Sequence, residues 1–541
     1  MDRRARFACI ACRRLKRKCP KELPSCSLCL RLDKRCEYPL RVRNAYDFTN
    51  HEPSDSPQGS IGEANLQPSD SPVTALDLNL EQGVISANKG VYAFPAMFFL
   101  DSEVCIKPLS SDCNQIINPT VPPCSLSPET LGVYEKYFYT IHQWLPILSK
   151  KYVRRHLTEY GSAADSPFQL LFLCMKLVAE SLPQGASARA NQDYTRILET
   201  LLRVETSCLP CLQLLQSVIL ISVYEISHAI YPAAYMRVGY ASRLCIMMGF
   251  HDRKNASQLF KDTVTWTARE EERRAWWAVF CLDRITNQGI EGPPLSTPEP
   301  SPGELLPCPE VSWNEGRVGF NEPLFAASFS NNTSLGSFAN VCQAAHVLGR
   351  VLCHRDSLHS GNVTISFRIS EAKQLHHILA SLSSHLNVIS QEPLSLRGSV
   401  SVSLALCYSA RLILYDIYAC NEKYSSDHGR SSEEAEMQRE AMTGIFEVVE
   451  TIWQFARQLL DSLHLEDEGE TNNISPLLCH CLYAAAGESE WLILEQENSS
   501  AETWLRDIVN LLQVIATRWQ VAGVYLSAIY KWPGYNSLAK S

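Results

Sequence analysis

Nowhere in its 541 residues does the chain hold an unbroken run of about 20 apolar residues, the length needed to cross a bilayer. The two most apolar stretches, LPCLQLLQSVILISVY (209–224) and SLALCYSARLILYDIY (403–418), are short or interrupted by Arg411, so no membrane span and no membrane partner is expected. The opening residues MDRRARFACIACRR lack the apolar core of a secretory signal, which predicts a protein retained inside the cell. Also missing are G-x-S-x-G, H-E-x-x-H, a phosphate-binding loop and a Rossmann glycine fingerprint, so nothing points to an enzyme. Strict apolar–polar alternation is absent too, which argues against a sheet. No a/d heptad repeat follows the first 43 residues, which leaves the chain without a recognisable zipper.

What is present is distributed unevenly. A chain this long exceeds what one core normally serves, roughly 250–300 residues, so two or more units are expected. Residues 1–43 contain 14 Lys or Arg and 4 Asp or Glu, a formal charge of +10, whereas the remainder carries −19 within a total of −9. A compact basic head on an acidic body is a part addressed to a polyanion.

Six of the 21 cysteines lie in that head, in CIACRRLKRKCPKELPSCSLCLRLDKRC. Cys9, Cys12, Cys19, Cys26, Cys29 and Cys36 are spaced C-x2-C-x6-C-x6-C-x2-C-x6-C, two similar halves with three thiols each. In a reducing compartment clustered thiols serve as metal ligands rather than disulfides. Zinc takes four ligands in a tetrahedron, and two zinc ions need eight ligand places. Six sulfurs fill eight places only if two of them bridge both metals, so the duplication suggests a binuclear thiolate cluster. The spacing does not match the C-x2-C-x2-C-x3-C run of iron–sulfur proteins. A segment of this size cannot bury enough apolar surface to fold alone, and metal binding would supply its folding energy.

Between Cys12 and Cys19 stand Arg13, Arg14, Lys16, Arg17 and Lys18. Cations held at both ends by a metal suit phosphates, and Lys or Arg in a major groove pairs with guanine O6 and N7. The same run is compatible with nuclear import.

This segment resembles the fungal binuclear zinc cluster DNA-binding domain: CRRLKRKC fits its C-R-x-x-K-x-K-C, and Pro24 stands in the loop between the halves. The resemblance implies two Zn2+ ions bridged by Cys9 and Cys26. It makes Lys16 the main reader of a CGG-type triplet in double-stranded DNA, with Arg13 and Lys18 mainly on phosphates. Leu15 occupies a position that is often basic in the family.

Residues 44–126, rich in Pro, Ser, Asp and Gly, are expected to form a disordered linker. PSDSP occurs there twice, which is read either as marking Ser56 and Ser71 for a proline-directed kinase or as a polar linker that happens to repeat.

From about residue 127 the apolar period is helical, and 127–541 is read as a large all-α multi-helix regulatory domain, with a soft sub-boundary near 320–335. Ser127-Pro128, Ser166-Pro167 and Ser475-Pro476 have the form of helix starts. Ser431-x-x-Glu434 is a capping box, followed by a stripe of Met442, Ile445, Val449, Ile452, Phe455, Ala456 and Leu459. Three stretches, 134–153, 214–251 and 270–296, resemble the middle homology region of fungal zinc cluster transcription factors, the last through EEERRAWWAVFCLDR. In that block Glu270 and Arg274 sit one turn apart and can pair, while Trp276, Trp277 and Phe280 cannot share one side, so the helix is expected to be buried. Arg273, Arg274, Asp283 and Arg284 are assigned to packing, with a ligand-sensing or regulatory pocket as the alternative. His142 and the pair Cys208 and Cys211 are set aside as core residues, and Cys479, His480 and Cys481 as a poor common site, since adjacent helical positions diverge by about 100°.

Together these features predict a small metal-stabilised zinc cluster module with short helices (1–43), the linker and the helical domain. The expected function is that of a nuclear, sequence-specific transcription factor of RNA polymerase II genes working with the transcription machinery. By analogy it controls a secondary metabolite biosynthesis gene cluster, as activator rather than repressor. The alternatives are a transcriptional repressor, a metal-binding interaction protein whose helical body carries the function, and an enzyme built on that body. Homodimer and monomer both stay open.

Overall fold

Four helical segments of this protein begin where short polar side chains take up the amide groups that a first turn leaves unbonded. Ser431 accepts from Glu434 N at 3.2 Å while Glu434 Oε2 accepts from Ser431 N at 2.8 Å, the reciprocal pair that the sequence announces. Thr265 Oγ1 caps Ala268 N, and Asn498 Oδ1 caps Ser500 N. Ser475 accepts from Leu477 N at the start of a 3-10 turn, Pro476–Leu478, that leads directly into a helix.

The computed structural model describes residues 19–31, 36, 128–159, 166–207, 209–256, 258, 265–301, 303–324, 335–357, 364–390, 398–419, 431–463, 474–496, 498–533 and 535. The linker with Ser56 and Ser71, Cys208, Ser127 and most of the expected sub-boundary near 320–335 lie outside them.

The chain divides into two units. In the first, the described residues carry one short helix, α1 (Ser27–Arg31). The second is built of helices: α2 (Pro128–Tyr139), α3 (Lys150–Glu159), α4 (Ser166–Ala179), α5 (Gln192–Ser207), α6 (Leu212–Ser227), α7 (Ala233–Met247), α8 (Trp266–Thr286), α9 (Glu310–Glu315), α10 (Ser337–Asp356), α11 (Ile365–Ile389), α12 (Ser399–Ala419), α13 (Ser432–Leu463), α14 (Cys479–Gln496), α15 (Ser499–Ala516) and α16 (Gln520–Ile529). Leu305 and Pro323 form an isolated antiparallel bridge.

Packing runs in series: α2 on α4, α4 on α6, α6 on α7, α7 on α8, α8 on α10, α10 on α12, α12 on α13, α13 on α15, then α15 on α14 and α14 on α16. The series closes on itself, since α16 touches α6 and Arg518 Nη2 donates to Val178 O at 3.1 Å. One continuous apolar core extends from Val133 in α2 to Ile529 in α16.

α12 corrects one sequence expectation. It runs for 21 residues, long and apolar enough to cross a membrane by length and composition, where the sequence reading held the stretch too short. Yet 89% of that apolar window is buried inside the bundle, between α10, α11 and α13, so its character is that of a central core helix.

α13 buries Ile445, Val449, Ile452, Phe455, Ala456 and Leu459 as the period predicts, while Met442 stays half-buried. α8 buries Trp276, Trp277 and Phe280 on different sides, so it is enclosed by neighbours.

Candidate metal centre and the buried charge frame

Cys26 immediately precedes α1 and Cys29 lies in its first turn, so the helical backbone brings the two thiols of this CxxC to one side. Leu30 N donates to Cys26 O at 3.1 Å and closes that turn. Two amides point at sulfur: Cys29 N to Cys26 Sγ at 3.4 Å, and Cys26 N to Cys36 Sγ at 3.2 Å. Ser27 N is held by Glu22 Oε2 at 2.7 Å, which ties the segment after Cys19 to the start of the helix.

The sulfurs of Cys26, Cys29 and Cys36 all lie within 4.8 Å of one another. Four thiolates at about 2.3 Å from one zinc stand about 3.8 Å apart, so these three are close to the required spacing and leave one corner of the tetrahedron for a further ligand. Cys26 and Cys29 are buried, and Cys19 packs in the same small cluster. The residues present therefore fit zinc. Cys9, Cys12 and the basic residues Arg13, Arg14, Lys16, Arg17 and Lys18 lie outside the described residues.

In the helical unit the charged residues of α8 form two buried knots. Arg274 is fully enclosed: Nε donates to Glu270 Oε1 at 3.0 Å, Nη1 to Pro146 O at 3.2 Å and Nη2 to Cys308 O at 2.6 Å, with the ring of Trp313 4.8 Å from its guanidinium carbon. Glu270 also accepts from Arg273, Cys308 N and Asn321. One helical length further on, Arg284 bonds Asp283, Glu299 and Thr297 and lies over Phe280 at 3.6 Å. Asp283 in turn accepts from the amides of Ser296 and Thr297. Both knots fasten loop 296–308 to α8, the packing role expected for these residues. Their loop partners, Thr297, Glu299 and Cys308, were not singled out, because nothing in local spacing links them to a helix 13 to 38 residues away.

Of the residues set aside, His142, Cys211, Cys479 and Cys481 are buried, His480 is half-buried and Cys208 lies outside the described residues. His142 is buried against Phe138 and Asn314, and burial first, then the nearby Lys150, pushes its imidazole down to about 3. Cys479 and Cys481 are buried, and burial pushes the Cys481 thiol up to about 12. Cys211 is buried as well. A cleft of about 300 Å³ between α5, α6 and α7, lined by Glu205, Leu214, Tyr240, Arg243, Leu244 and Met247 among others, was not anticipated, since its lining is scattered over three helices.

The family model described as Fungal Zn(2)-Cys(6) binuclear cluster domain matches residues 7–45, and the one described as Fungal specific transcription factor domain matches residues 134–395. "Transcription factor BOA15" of Botryotinia fuckeliana (strain B05.10) is 33% identical over 184 residues, which is 33% of this chain and 98% of that protein. The chain belongs to the fungal zinc cluster transcription factors. Similar members include "Citrinin biosynthesis transcriptional activator mrl3" of Monascus ruber, 23% identical over 67% of this chain and 74% of that protein. "Pigment biosynthesis transcriptional activator pigB" of Monascus ruber is 26% identical over 42% of each chain, so this zinc cluster protein spans less than half of that relative's length. The matches are to regulators of transcription and not to enzymes.

Proposed function

We propose that this protein is a zinc-dependent, sequence-specific DNA-binding activator of RNA polymerase II genes, acting in the nucleus on one biosynthetic gene cluster. The observation that carries this reading is the three-sulfur group of Cys26, Cys29 and Cys36 in a segment with a formal charge of +10. Cys9, Cys12, Cys19, Cys26, Cys29 and Cys36 would hold two Zn2+ ions, whose binding supplies the folding free energy of the module. Lys16 would read guanine at a CGG-type triplet, and Arg13, Arg14, Arg17 and Lys18 would hold phosphates and set register. Control of a biosynthetic cluster rests on the printed names of the citrinin and pigment regulators.

Selection from a random duplex pool with the full-length protein tests this reading. Enrichment of CGG-type triplets that disappears with a zinc chelator is expected. A zinc-loaded protein that enriches no sequence would refute it.

A further inference from the structure

Beyond residue 43 the chain carries a formal charge of −19, and an outward helix face such as that of α13 is mainly acidic, with Glu433, Glu436, Glu447 and Asp461 exposed beside Arg439 and Arg457. α3 is the reverse. Its exposed residues Lys151, Arg154, Arg155 and Thr158 follow at i, i+3, i+4 and i+7 and share one side, while Val153 and Leu157 are buried on the other. Arg155 is tied to Glu159 at 2.7 Å, whereas Lys151 and Arg154 pair with no carboxylate among the described residues. The stem of Lys151 lies against Gly316, where a Cβ would come within 2.8 Å of its Cδ and Nζ. The stretch that follows α9 therefore borders this basic stripe. It adds Arg317, which engages Glu315, and then Val318 and Phe320, 77% and 79% exposed. A Cβ at Gly319 would come within 3.1 Å of that of Ser312, which places Val311, 65% exposed, beside the same stretch.

We propose that the outward face of α3, together with Val311, Val318 and Phe320, docks an acidic helical segment of a separate protein, one with apolar residues beside its carboxylates. Charge complementarity sets the first half of that choice. Carboxylates at i, i+3 and i+4 of a partner helix meet Lys151, Arg154 and Arg155 at matching spacing, and the two unpaired cations have no internal carboxylate to surrender. The apolar border sets the second half. A nucleic acid backbone satisfies the cations but leaves Val318 and Phe320 uncovered, whereas Leu or Phe next to Glu covers them as the carboxylates pair. Exposed ion pairs contribute little each and are screened by salt, so the complex is weak and salt-sensitive.

Fluorescence anisotropy of a labelled helical peptide with Glu at i, i+3, i+4 and i+7 and Leu between them, titrated with full-length protein at low and physiological salt, tests this. The wild type should bind it, less tightly at the higher salt, and should ignore the same peptide with Lys for each Glu. Lys151→Glu combined with Arg154→Glu should weaken binding at least about tenfold, and Val318→Ser about fivefold, both with unchanged melting. Arg196→Glu combined with Arg203→Glu, on the exposed side of α5, should bind like the wild type. Should the charge reversal fold poorly, Lys151→Gln with Arg154→Gln keeps good helix formers and should weaken binding about fivefold. Because residues 1–43 are basic too, a photo-cross-linker on the peptide reports the site, and it should label α3 or residues 311–320. A wild type that binds no peptide, a label confined to residues 1–43, or binding indifferent to both pairs of α3 substitutions overturns the proposal. So does a random DNA duplex that labels α3 more strongly than the peptide, which would make the face a nucleic acid contact. Binding that emerges only when Glu466, Asp467, Glu468 and Glu470 are changed to Gln would assign the face to the chain's own acids and overturn it as well.

Discussion

Glu270 and Arg274 stand one helical turn apart in α8, with a 3.0 Å bond between Arg274 Nε and Glu270 Oε1 and neither side chain open to solvent. The pair does not act alone, because its remaining polar atoms hold Pro146, Cys308 and Asn321 from three other segments. Removing one partner strands the other charge in the interior, which costs about 3–5 kcal/mol. Arg274→Met should lose about that much in urea unfolding, and Arg274→Met combined with Glu270→Gln should lose less than the single change. A loss under about 1 kcal/mol for the single change would show that the knot is not structural.

Glu271, the next residue, gives a pH signature. It is buried, and burial pushes its carboxyl up to about 7 although Ser149 N at 2.9 Å and Gln216 Nε2 at 3.1 Å donate to Oε1. The folded state thus holds this proton above the pH at which the unfolded chain releases it. The contribution is whole below about pH 4.5 and is lost as pH rises through about 7. Buried His142 and His228 work in the opposite sense, with pKa values lowered to about 3 and about 4 mainly by burial. The total profile therefore hides each term, but a difference isolates one. Glu271→Gln, which keeps an acceptor for both donors, should gain on the wild type by up to about 3 kcal/mol between pH 5 and pH 8. Urea titrations at the two pH values check this, and a difference that does not change with pH would contradict it.

Much of this architecture can be read from neighbours in sequence. Ser431 and Glu434 find each other because three residues span a first turn, and the α13 stripe follows from helical period. The thiol group is legible for the same reason, since a CxxC and one helical turn suffice to bring Cys26 and Cys29 together. What sequence could not supply depends on distant contact. Ser149 lies 122 residues before Glu271, and Cys308 lies 38 after Glu270.

A similar long-range contact makes Gly444 essential to packing in α13. A Cβ there would come within 2.5 Å of Tyr415 Cε2 and 2.7 Å of Cζ. Tyr415 cannot swing away freely, because its hydroxyl is held by His376 Nδ1 at 2.7 Å and by Arg411 Nε at 3.2 Å. Gly444→Ala should therefore destabilise by about 1–3 kcal/mol despite the better helix propensity of alanine. Adding Tyr415→Leu should recover part of that loss. If Gly444→Ala stabilises the protein, the close approach of α12 and α13 is not as described.

The metal centre predicts an ordered set of losses. Purified full-length protein should contain about two zinc ions per chain. Cys29→Ser removes one of the three gathered sulfurs and should lower that number, whereas Cys353→Ser, at an exposed position of α10, should not. Within the loaded module the basic residues then separate by task. Lys16→Ala, if Lys16 reads a base, should weaken binding to a triplet-bearing duplex by about 1–3 kcal/mol and leave random DNA nearly unaffected. Arg13→Ala, if Arg13 holds a phosphate, should weaken binding to both and reduce the slope of log affinity against log salt by about 1. Fluorescence titrations at several salt concentrations distinguish the two. Equal losses on both duplexes for Lys16→Ala would remove the base-reading role and leave the basic run as an electrostatic clamp.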